Sequence, residues 1–326
     1  MGPAFNAMDI NIKGYQNESL NRFLEQWFDN SDVIIAHTSG STGAPKEIRL
    51  LKSDLINSAR ATCQYFKIGE GSCIVNPLSI DYIAGKMMII RAIVSGAELW
   101  NEHPSLSPLN DWSFDKYIDL LPVVPSQIPG LIESKKINFI RNLIIGGAKL
   151  PSSIEEQLKQ LNINAYCTYG MTETCSHVAL RSINDNAYRA MPGFQFSNDN
   201  RNCLIIESET MSFKQLITND IVELNDSTSF RWLGRYDNVI NSGGIKLFPE
   251  MIESKIESLF QGRNFYISSR ESERWGNELI LIVEGCEKIK YLHESLSERL
   301  SKYEIPKQII YKENLEKTSS GKIKRI

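Results

Sequence analysis

The first two-thirds of the chain alternates short apolar runs with longer segments whose apolar residues recur at helical spacing. Residues 33–36 form a strand-length apolar run, and the segment 53–66 has the pattern of a helix. Ile83–Ser95 is apolar almost all round, which predicts a buried helix that ends at Gly96, followed by a strand over 97–100. This alternation predicts an α/β fold of layered sheets and helices.

Further strands are predicted where apolar runs stop at turn-forming or polar residues. Residues 143–145 and 163–168 are such runs, and 123–126 has the pattern of a strand end that leads into a helix from Gln127. The segment SSIEE at 152–156 predicts a helix that starts with a capping box. Strands and helices thus continue to alternate up to about residue 170.

A second, smaller region is predicted towards the C-terminus. Pro249 suits the first turn of a helix, 278–284 has the pattern of a strand, and 288–300 that of an amphipathic helix. The glycine-containing segment 234–244 is the expected linker. We therefore expect a large domain of layered α/β sheets and a small α+β domain. The two predicted domains cover residues 1–236 and 237–326.

Composition restricts the classes of partner. Hydrophobic residues make up 42% of the chain and charged residues 23%, which is typical of a globular protein with a sizeable core. The net charge of −3 gives no reason to expect nucleic acid or an acidic membrane as partner. No apolar run approaches the roughly 18 residues of a membrane span. The composition leaves the oligomeric state open.

The cysteines and the basic tail add two expectations. Six scattered cysteines contain no C-x-x-C pair, which predicts buried free thiols of a cytoplasmic protein. Lys317, Lys322, Lys324 and Arg325 form a basic cluster at the C-terminus, and such a tail is expected to be solvated.

The segment directly after the first apolar run has the composition of a phosphate-binding loop. Its glycines let backbone N–H groups converge on an anion, its hydroxyls donate hydrogen bonds and its lysine supplies charge. The spacing of a Walker loop is absent, and taken alone a segment rich in serine, glycine and threonine is more often a flexible loop. Its residues are Thr38, Ser39, Gly40, Ser41, Thr42, Gly43, Ala44, Pro45 and Lys46.

A further motif follows a predicted strand. Tyr169, Gly170, Met171, Thr172 and Glu173 combine an aromatic ring, a hydroxyl and a carboxylate at the end of one strand. Ligands gather at that edge of parallel sheets, so a nucleotide site with Mg²⁺ on the carboxylate is one interpretation and an ordinary turn is the other.

Three weaker motifs complete the set. Gly146, Gly147 and Ala148 would let a flat ligand lie against the backbone. Asp220 and Arg235 offer a carboxylate and a guanidinium suited to ribose hydroxyls and phosphate, or to a surface ion pair. Lys322 follows Gly321 near the end of the chain, where a lysine is usually solvated.

Together these segments resemble the adenylate-forming superfamily of acyl-CoA synthetases, luciferases and peptide-synthetase adenylation domains. The resemblance runs from about residue 33 to residue 325. Its motifs, in order, are TSGSTGAPK, GGAKLP, YGMTET, the TND and GRYD pair, SGGIKLFPEMIE and KTSSGKIKR.

The resemblance implies ATP, Mg²⁺ and coenzyme A as cofactors and a small carboxylic acid as substrate. The Thr38-to-Lys46 loop would hold the β- and γ-phosphates, and Gly147 and Tyr169 would flank the adenine. The remaining implied contacts are Thr172 on the α-phosphate, Glu173 on Mg²⁺, Asp220 and Arg235 on the ribose, and Lys322 between the attacking carboxylate and the α-phosphate.

The second half of the reaction has its own implied residues. Asp237 matches the hinge of the small domain, and Gly243 and Gly244 match a strand that lines the pantetheine tunnel. Lys246, in the same SGGIKLF motif, is counted with the cofactor contacts. A hinge fits a two-step reaction, because the lysine must leave before the thiol enters.

Within this superfamily, four segments are similar to those of o-succinylbenzoate–CoA ligases of menaquinone synthesis. The segments YGMTETCSHVALR, VPSQ, MPGFQFS and GRYDNVINSGGIKLFPEMIE carry that similarity. The substrate has a second carboxylate, for which Lys86 and His177 are candidate partners, and Gln127 of VPSQ is the third candidate substrate residue. Lys86 could instead reach solvent or pair with Asp81.

Two departures from the family pattern keep alternatives open. Only 37 residues precede the phosphate-type loop, fewer than family members usually carry, and the family's Pro-Leu-Phe-His segment reads PLSIDY at 77–82. The alternatives are adenylation of another aryl or acyl acid for CoA or a carrier protein, and a non-catalytic nucleotide-binding relic.

Overall fold

The computed structural model of this chain describes residues 11–37, 47–110, 112–113, 116–161, 163–260, 262–317 and 323–325. Its α-helices are α1 (Glu18–Phe28), α2 (Lys52–Phe66), α3 (Ile83–Ser95), α4 (Ile128–Glu133), α5 (Ser152–Lys159), α6 (Pro249–Ile256) and α7 (Leu292–Arg299). Its strands up to residue 182 are β1 (Ile12–Gly14), β2 (Val33–His37), β3 (Glu47–Leu51), β4 (Cys73–Asn76), β5 (Glu98–Asn101), β6 (Leu121–Val123), β7 (Asn142–Ile145), β8 (Asn164–Gly170) and β9 (His177–Ser182). The later strands are β10 (Tyr188–Ala190), β11 (Phe194–Asn198), β12 (Cys203–Ser208), β13 (Gln215–Asp226), β14 (Ser229–Arg235), β15 (Ile240–Ser242), β16 (Ile245–Leu247), β17 (Phe265–Ser272), β18 (Gly276–Glu284) and β19 (Gln308–Lys312).

Most predicted helices are present. α2 covers its predicted segment to within a residue, and α3 spans the predicted one with Gly96 at a φ of 72° after its last residue. That left-handed conformation costs glycine little, which explains why the helix ends there. The helix predicted over 288–300 is shorter, because Tyr291 before α7 has a φ of 54° that is incompatible with helix.

A nine-stranded sheet organises the larger part of the described chain, in the order β11-β12-β13-β14-β10-β9-β8-β7-β6. β6, β7 and β8 are parallel, whereas the other neighbouring pairs are antiparallel. The three parallel strands therefore end at the same edge, β6 at Val123, β7 at Ile145 and β8 three residues further along, at Gly170. This carboxyl edge is where ligands bind in such sheets.

Helix α3 packs close to that edge. β4 belongs to the three-stranded sheet β1-β5-β4 and lies near β6 through a parallel bridge between Ile74 and Leu120. The chain then passes through 77–82 into α3, which is buried along most of its length. A Cβ at Gly85 would overlap the backbone oxygen of Ser79, so helix and preceding loop are in direct backbone contact.

The C-terminal part has a hydrophobic core of its own. Apolar side chains of β16, α6, β17, β18 and α7 form a cluster that draws only on residues from 240 onwards. β17, β18 and β19 make a small sheet, and Pro249 lies in the first turn of α6 as predicted. The division into domains 1–236 and 237–326 stays a prediction.

One segment is more ordered than expected, and one local prediction is wrong. The segment 234–244 is more ordered than a linker, since it contains the end of β14 and all of β15. α5 has no capping box, because the N–H and the hydroxyl of Ser152 instead donate to the carboxylate of Glu257, at 3.2 and 2.8 Å. This contact joins the large part of the chain to the turn after α6.

The structure also describes the state of the cysteines and the length of the helices. All six cysteines are free, as predicted, but Cys286 is exposed whereas the other five are buried. In the part of the chain that the structure describes, no helix is long and apolar enough to cross a membrane.

Candidate active site

Two glycines shape the carboxyl edge after β7. Gly146 donates its N–H to the carbonyl of Val123 at 3.0 Å, and Gly147 has a φ of 82°. A Cβ at Gly146 would lie 2.6 Å from the hydroxyl oxygen of Thr168, on the neighbouring β8. Glycine is therefore required sterically here, and the backbone leading to Ala148 leaves room for a flat ligand.

The predicted base-stacking tyrosine and the predicted ribose pair form one network. The hydroxyl of Tyr169 donates to Asp220 at 2.7 Å, the indole N–H of Trp232 donates to the other carboxylate oxygen at 3.2 Å, and Arg235 lies 3.6 Å away. Burial raises the pKa of Tyr169, and the Asp220 carboxylate raises it further. The tyrosine is thus a fixed neutral donor.

The turn after β8 presents the hydroxyl and the carboxylate that were predicted to bind phosphate and metal. A Cβ at Gly170 would overlap the backbone oxygen of Ser176, so the chain folds back tightly. The hydroxyl of Thr174 donates within this turn, at 2.7 Å to that same oxygen. Thr172 is half-buried, while Glu173 is exposed and has no hydrogen-bond or ion-pair partner among the described residues. A free carboxylate at this edge fits an oxygen-seeking cation such as Mg²⁺.

A cavity of about 250 Å³, called here the α3 cavity, lies between α3 and the ends of β6, β7 and β8. One face of α3 contributes Ile83, Ala84, Met87 and Arg91. The sheet edge contributes Gly146, Gly147, Gly170, Met171, Thr172, Cys175, Ser176 and His177, among others. The nucleotide motifs and the buried helix therefore enclose the same space.

Arg91 is the charged group of this cavity. Its side chain is 3% exposed, one terminal nitrogen donates to the hydroxyl of Ser176 at 2.7 Å and the other lies 3.3 Å from the sulfur of Met88. Its Nε has no hydrogen-bond partner, and none of the described carboxylates pairs with it. Burial lowers the pKa of Arg91 to about 10, so it remains a cation at neutral pH.

His177 lines the same cavity as a neutral group. Its two ring nitrogens lie 3.3 Å from the hydroxyls of Thr62 and Ser176. Burial lowers the pKa of His177 well below 6.5, and the nearby Arg91 cation lowers it further. The imidazole therefore offers a hydrogen bond to a ligand and no charge.

Two predicted substrate residues are engaged elsewhere. The ammonium of Lys86 donates to the backbone oxygen of Asp81 at 3.2 Å, and Lys86 is absent from the cavity wall. Gln127 is 4% exposed and its amide donates to the carbonyls of Ser105 and Pro77, at 2.8 and 3.3 Å. Its oxygen accepts the N–H of Val124, so the side chain braces the loops around β6.

Ala148 lines a second cavity, of about 340 Å³. Thr168 and Trp232 line it, together with Arg181, which pairs with both oxygens of Glu155 at 2.9 and 3.0 Å. Thr168 also lines the α3 cavity, so the two cavities are neighbours at this edge of the sheet.

The residues predicted for hinge and thiol access lie beyond this edge. Asp237 accepts from Arg235 at 3.0 Å, and Lys246 lines a cavity beside Asp237. Gly243 and Gly244, with φ of 57° and 82°, form the turn between β15 and β16, not a strand. A Cβ at Gly243 would come within 2.7 Å of the ring of Trp275, so glycine is needed there too.

Two groups of predicted site residues lie outside the described residues. They are the Thr38-to-Lys46 loop and Lys322. Their implied roles stay predictions.

Sequence reasoning missed Arg91 and Arg325 as functional candidates. Arg91 left one available signal, since it is a permanent cation within a helix that is apolar apart from Lys86 and Arg91. Arg325 was expected to be solvated, but its side chain is 27% exposed and ion-paired with Glu253. Nothing local in the sequence marks that pairing.

Comparisons with known proteins fit this geometry. The family model described as AMP-binding enzyme matches residues 6–211. The chain is 23% identical to the 2-succinylbenzoate–CoA ligase of Lactococcus lactis, over 91% of this chain and 70% of that protein. It is 32% identical to a solved acyl-CoA synthetase (AMP-forming)/AMP-acid ligase II-like protein from Dyadobacter fermentans, with a TM-score of 0.65 over 96% of this chain and 94% of that one.

A further solved structure is similar in fold. It is the o-succinylbenzoate CoA synthetase of Bacillus subtilis in complex with its acyl-adenylate intermediate. The TM-score is 0.78 at 21% identity, over 89% of this chain and 67% of that one.

Proposed function

The chain belongs to the family of AMP-binding enzymes, and from this premise we propose that it is an ATP-dependent acid–CoA ligase acting on a dicarboxylic aryl acid, o-succinylbenzoate. The acid's carboxylate attacks the α-phosphate of ATP and releases pyrophosphate. The thiol of CoA then attacks the acyl carbon of the adenylate and releases AMP. The product, o-succinylbenzoyl-CoA, is an intermediate of menaquinone synthesis, which the sequence resemblance implies as the pathway.

The residues at the sheet edge are suited to the first step. The backbone at Gly147 and the ring of Tyr169 would hold the base, with Asp220 and Arg235 on the ribose. Thr172 would donate to the α-phosphate. Two anions repel each other as they react, so fixed donors and cations at that point lower the barrier.

Cations complete this charge balance. Glu173 would hold Mg²⁺, which when bound neutralises phosphate charge. Lys322 would bridge the attacking carboxylate and the α-phosphate. The residues Thr38, Ser39, Gly40, Ser41, Thr42, Gly43 and Lys46 would hold the outer phosphates.

The observation that carries the choice of substrate is the unpaired charge of Arg91 in the α3 cavity. A buried cation without a counter-charge is destabilising by several kcal/mol, and a carboxylate held by two or more hydrogen bonds offsets that cost. The reacting carboxylate must lie near Thr172 and the phosphate, so Arg91 is available for a second one. Such a group is present in the substrate named for the Lactococcus and Bacillus relatives.

Arg91 replaces Lys86 as the proposed partner of the substrate's second, non-reacting carboxylate. Lys86 already donates to Asp81 and does not line the cavity, whereas Arg91 does. His177 would add one hydrogen bond, directly or through Ser176.

The second step is proposed to follow a rotation about Asp237. The turn at Gly243 and Gly244 would then border the path of the thiol, with Lys246 nearby. We place the reaction in the cytoplasm, since ATP and CoA are found there and five buried free thiols fit a reducing compartment.

A pyrophosphate-release screen over aromatic, fatty and amino acids, with ATP and Mg²⁺, tests this function. We expect o-succinylbenzoate to give the highest kcat/KM, and CoA-dependent AMP release to follow. A higher value for an acid with a single carboxylate would refute the dicarboxylate assignment and favour another aryl or acyl acid. Release without any effect of CoA would favour a carrier-protein acceptor. No release with any acid would favour a non-catalytic nucleotide binder.

A further inference from the structure

The C-terminal tail, residues 315–325, makes hydrogen bonds on both sides of the segment 318–322. Leu315 is buried, and its N–H donates to Glu284 at 3.0 Å. Lys317 and Ile323 form an antiparallel bridge, and the N–H of Lys324 donates to the carbonyl of residue 316 at 2.8 Å. The segment that carries Lys322 in the sequence thus connects two paired stretches of backbone.

Arg325 fixes the second of these stretches to α6 and β17. Its two terminal nitrogens donate to the two oxygens of Glu253, each at 2.7 Å, and one also donates to the carbonyl of Ile267 at 3.2 Å. A second carboxylate oxygen, on Glu250, lies 3.8 Å away, and the guanidinium lies 5.9 Å from the ring centre of Tyr266. Glu253, Ile267, Glu250 and Tyr266 thus surround the guanidinium of Arg325.

The pairing differs in kind from the exposed ion pairs of the same region. The Glu253 side chain is 11% exposed and that of Arg325 27%, whereas Arg270, which pairs with Glu278, is 50% exposed. A bidentate, buried pair has a single geometry, while an exposed pair exchanges with water and adds little. Position 325 is therefore held in place, although it is the penultimate residue of the sequence.

We propose that Arg325 is a positioning residue for adenylate formation, which it supports by fixing the chain three residues after Lys322. The inference rests on the proposed function, in which that lysine bridges the carboxylate and the α-phosphate. If the chain after Lys322 is held less firmly, the lysine spends less time at the reacting atoms. Small misplacements of a reacting group cost up to about 100-fold in rate. The thiol step does not use the lysine, so its rate should not depend on the Arg325–Glu253 pair.

The test separates the two half-reactions in the variants Arg325→Met and Glu253→Gln. We expect kcat of adenylation to fall by about 10- to 100-fold, with the KM for ATP nearly unchanged. Thiolation of supplied acyl-adenylate by CoA should stay close to wild type. Arg325→Lys keeps the charge but loses the bidentate fork, so its loss should be intermediate; it also serves if Arg325→Met fails to fold.

Arg270→Met is the matched control, because Arg270 also pairs with a glutamate but donates to Glu278 and Gln308 and to no residue of the tail. It should change neither half-reaction. Hydrogen exchange measured by mass spectrometry supplies a readout besides activity. In Arg325→Met the amides of the C-terminal peptide should exchange faster, while those of α3 should not.

The following results would overturn or support the positioning role of Arg325. Equal losses in both half-reactions, or unchanged adenylation despite faster exchange of the tail, would overturn the positioning role. If the wild-type protein forms no adenylate from any acid, the proposed function fails. The anchor is then judged by exchange alone: unchanged exchange in Arg325→Met overturns it, and faster exchange confined to the tail supports it.

Discussion

At the scale of single residues, the α3 cavity is defined by one charge and the neutral groups around it. Arg91 is a buried cation whose described partners are a hydroxyl and a sulfur. His177, beside it, remains neutral because burial and Arg91 both lower its pKa. The cavity therefore attracts an anion, and Arg91 supplies the full charge.

Arg91→Met should raise KM for o-succinylbenzoate by about 10- to 150-fold, the loss of a charged hydrogen bond worth about 1.5–3 kcal/mol. Acids without the second carboxylate should be nearly unaffected. The free energy of unfolding of the ligand-free variant should not fall, because an unpaired buried charge has been removed. Steady-state kinetics and urea unfolding measure these effects.

Lys86→Met is the matched control, since it removes a cation from the same helix outside the cavity wall. It should leave the ratio of the two KM values unchanged. A larger effect on o-succinylbenzoate from Lys86→Met than from Arg91→Met would contradict our assignment.

His177 predicts a pH dependence of stability. The unfolded chain binds a proton at a histidine below about pH 6.5, whereas buried His177 does not. The free energy of unfolding should therefore fall as pH drops below 6.5, with a contribution from His177 of at most about 1.4 kcal/mol per pH unit. In His177→Gln this contribution should vanish, as urea unfolding at pH 7.5, 6.5 and 5.5 would measure. Parallel pH profiles for the two proteins would rule it out.

At the scale of elements, the site results from placing α3 across the ends of three parallel strands. The glycine turn after β7 and the threonine–glutamate turn after β8 lie at one edge because their strands are parallel neighbours. α3 reaches that edge through the loop 77–82, with which it is in backbone contact at Gly85. The distance between Arg91 and the nucleotide motifs depends on this contact.

Gly85→Ala should destabilise the protein by about 1–3 kcal/mol through the overlap with Ser79, even though alanine favours helix by about 1 kcal/mol. It should also raise KM for the acid, because α3 must shift. Gly69→Ala is the control, since a Cβ there meets nothing within 4 Å. Urea unfolding of both variants measures the difference, and equal stabilities would show that the contact is not close-packed.

The elements at this edge could be predicted from sequence because their signals are local. α3 has a mostly apolar pattern that ends in glycine, and the glycine and tyrosine motifs each follow an apolar strand. The pairings could not be predicted, since they join distant residues: Arg91 and Ser176 are 85 positions apart, and Arg325 and Glu253 are 72 apart. Only the packed fold determines which buried charge has a partner.

At the scale of the whole molecule, the proposed reaction needs two arrangements of the large part and the small C-terminal part. Ser152 and Glu257 join these parts in the structure, and Glu250 accepts from Asn238 at 2.5 Å next to the proposed hinge. Asp237 lies in the short turn between β14 and β15. A rotation there would carry Lys322 and its anchor together.

Asp237→Pro should retain adenylation and lower CoA transfer by about tenfold or more, because proline fixes φ near −65° at the pivot. Asp237→Ala is the control, since it removes the ion pair with Arg235 but leaves φ free. Single-turnover assays of each half-reaction measure the effect. Equal transfer rates in the two variants would show that no rotation at this residue is needed.

The central claim is that the chain joins a dicarboxylic aryl acid to CoA through an adenylate. The most direct test incubates the protein with ATP, Mg²⁺, CoA and o-succinylbenzoate and identifies the products by liquid chromatography and mass spectrometry. We predict equal amounts of o-succinylbenzoyl-CoA and AMP, with only acyl-adenylate and pyrophosphate when CoA is left out. AMP without any thioester, or no product that depends on the acid, would contradict the account.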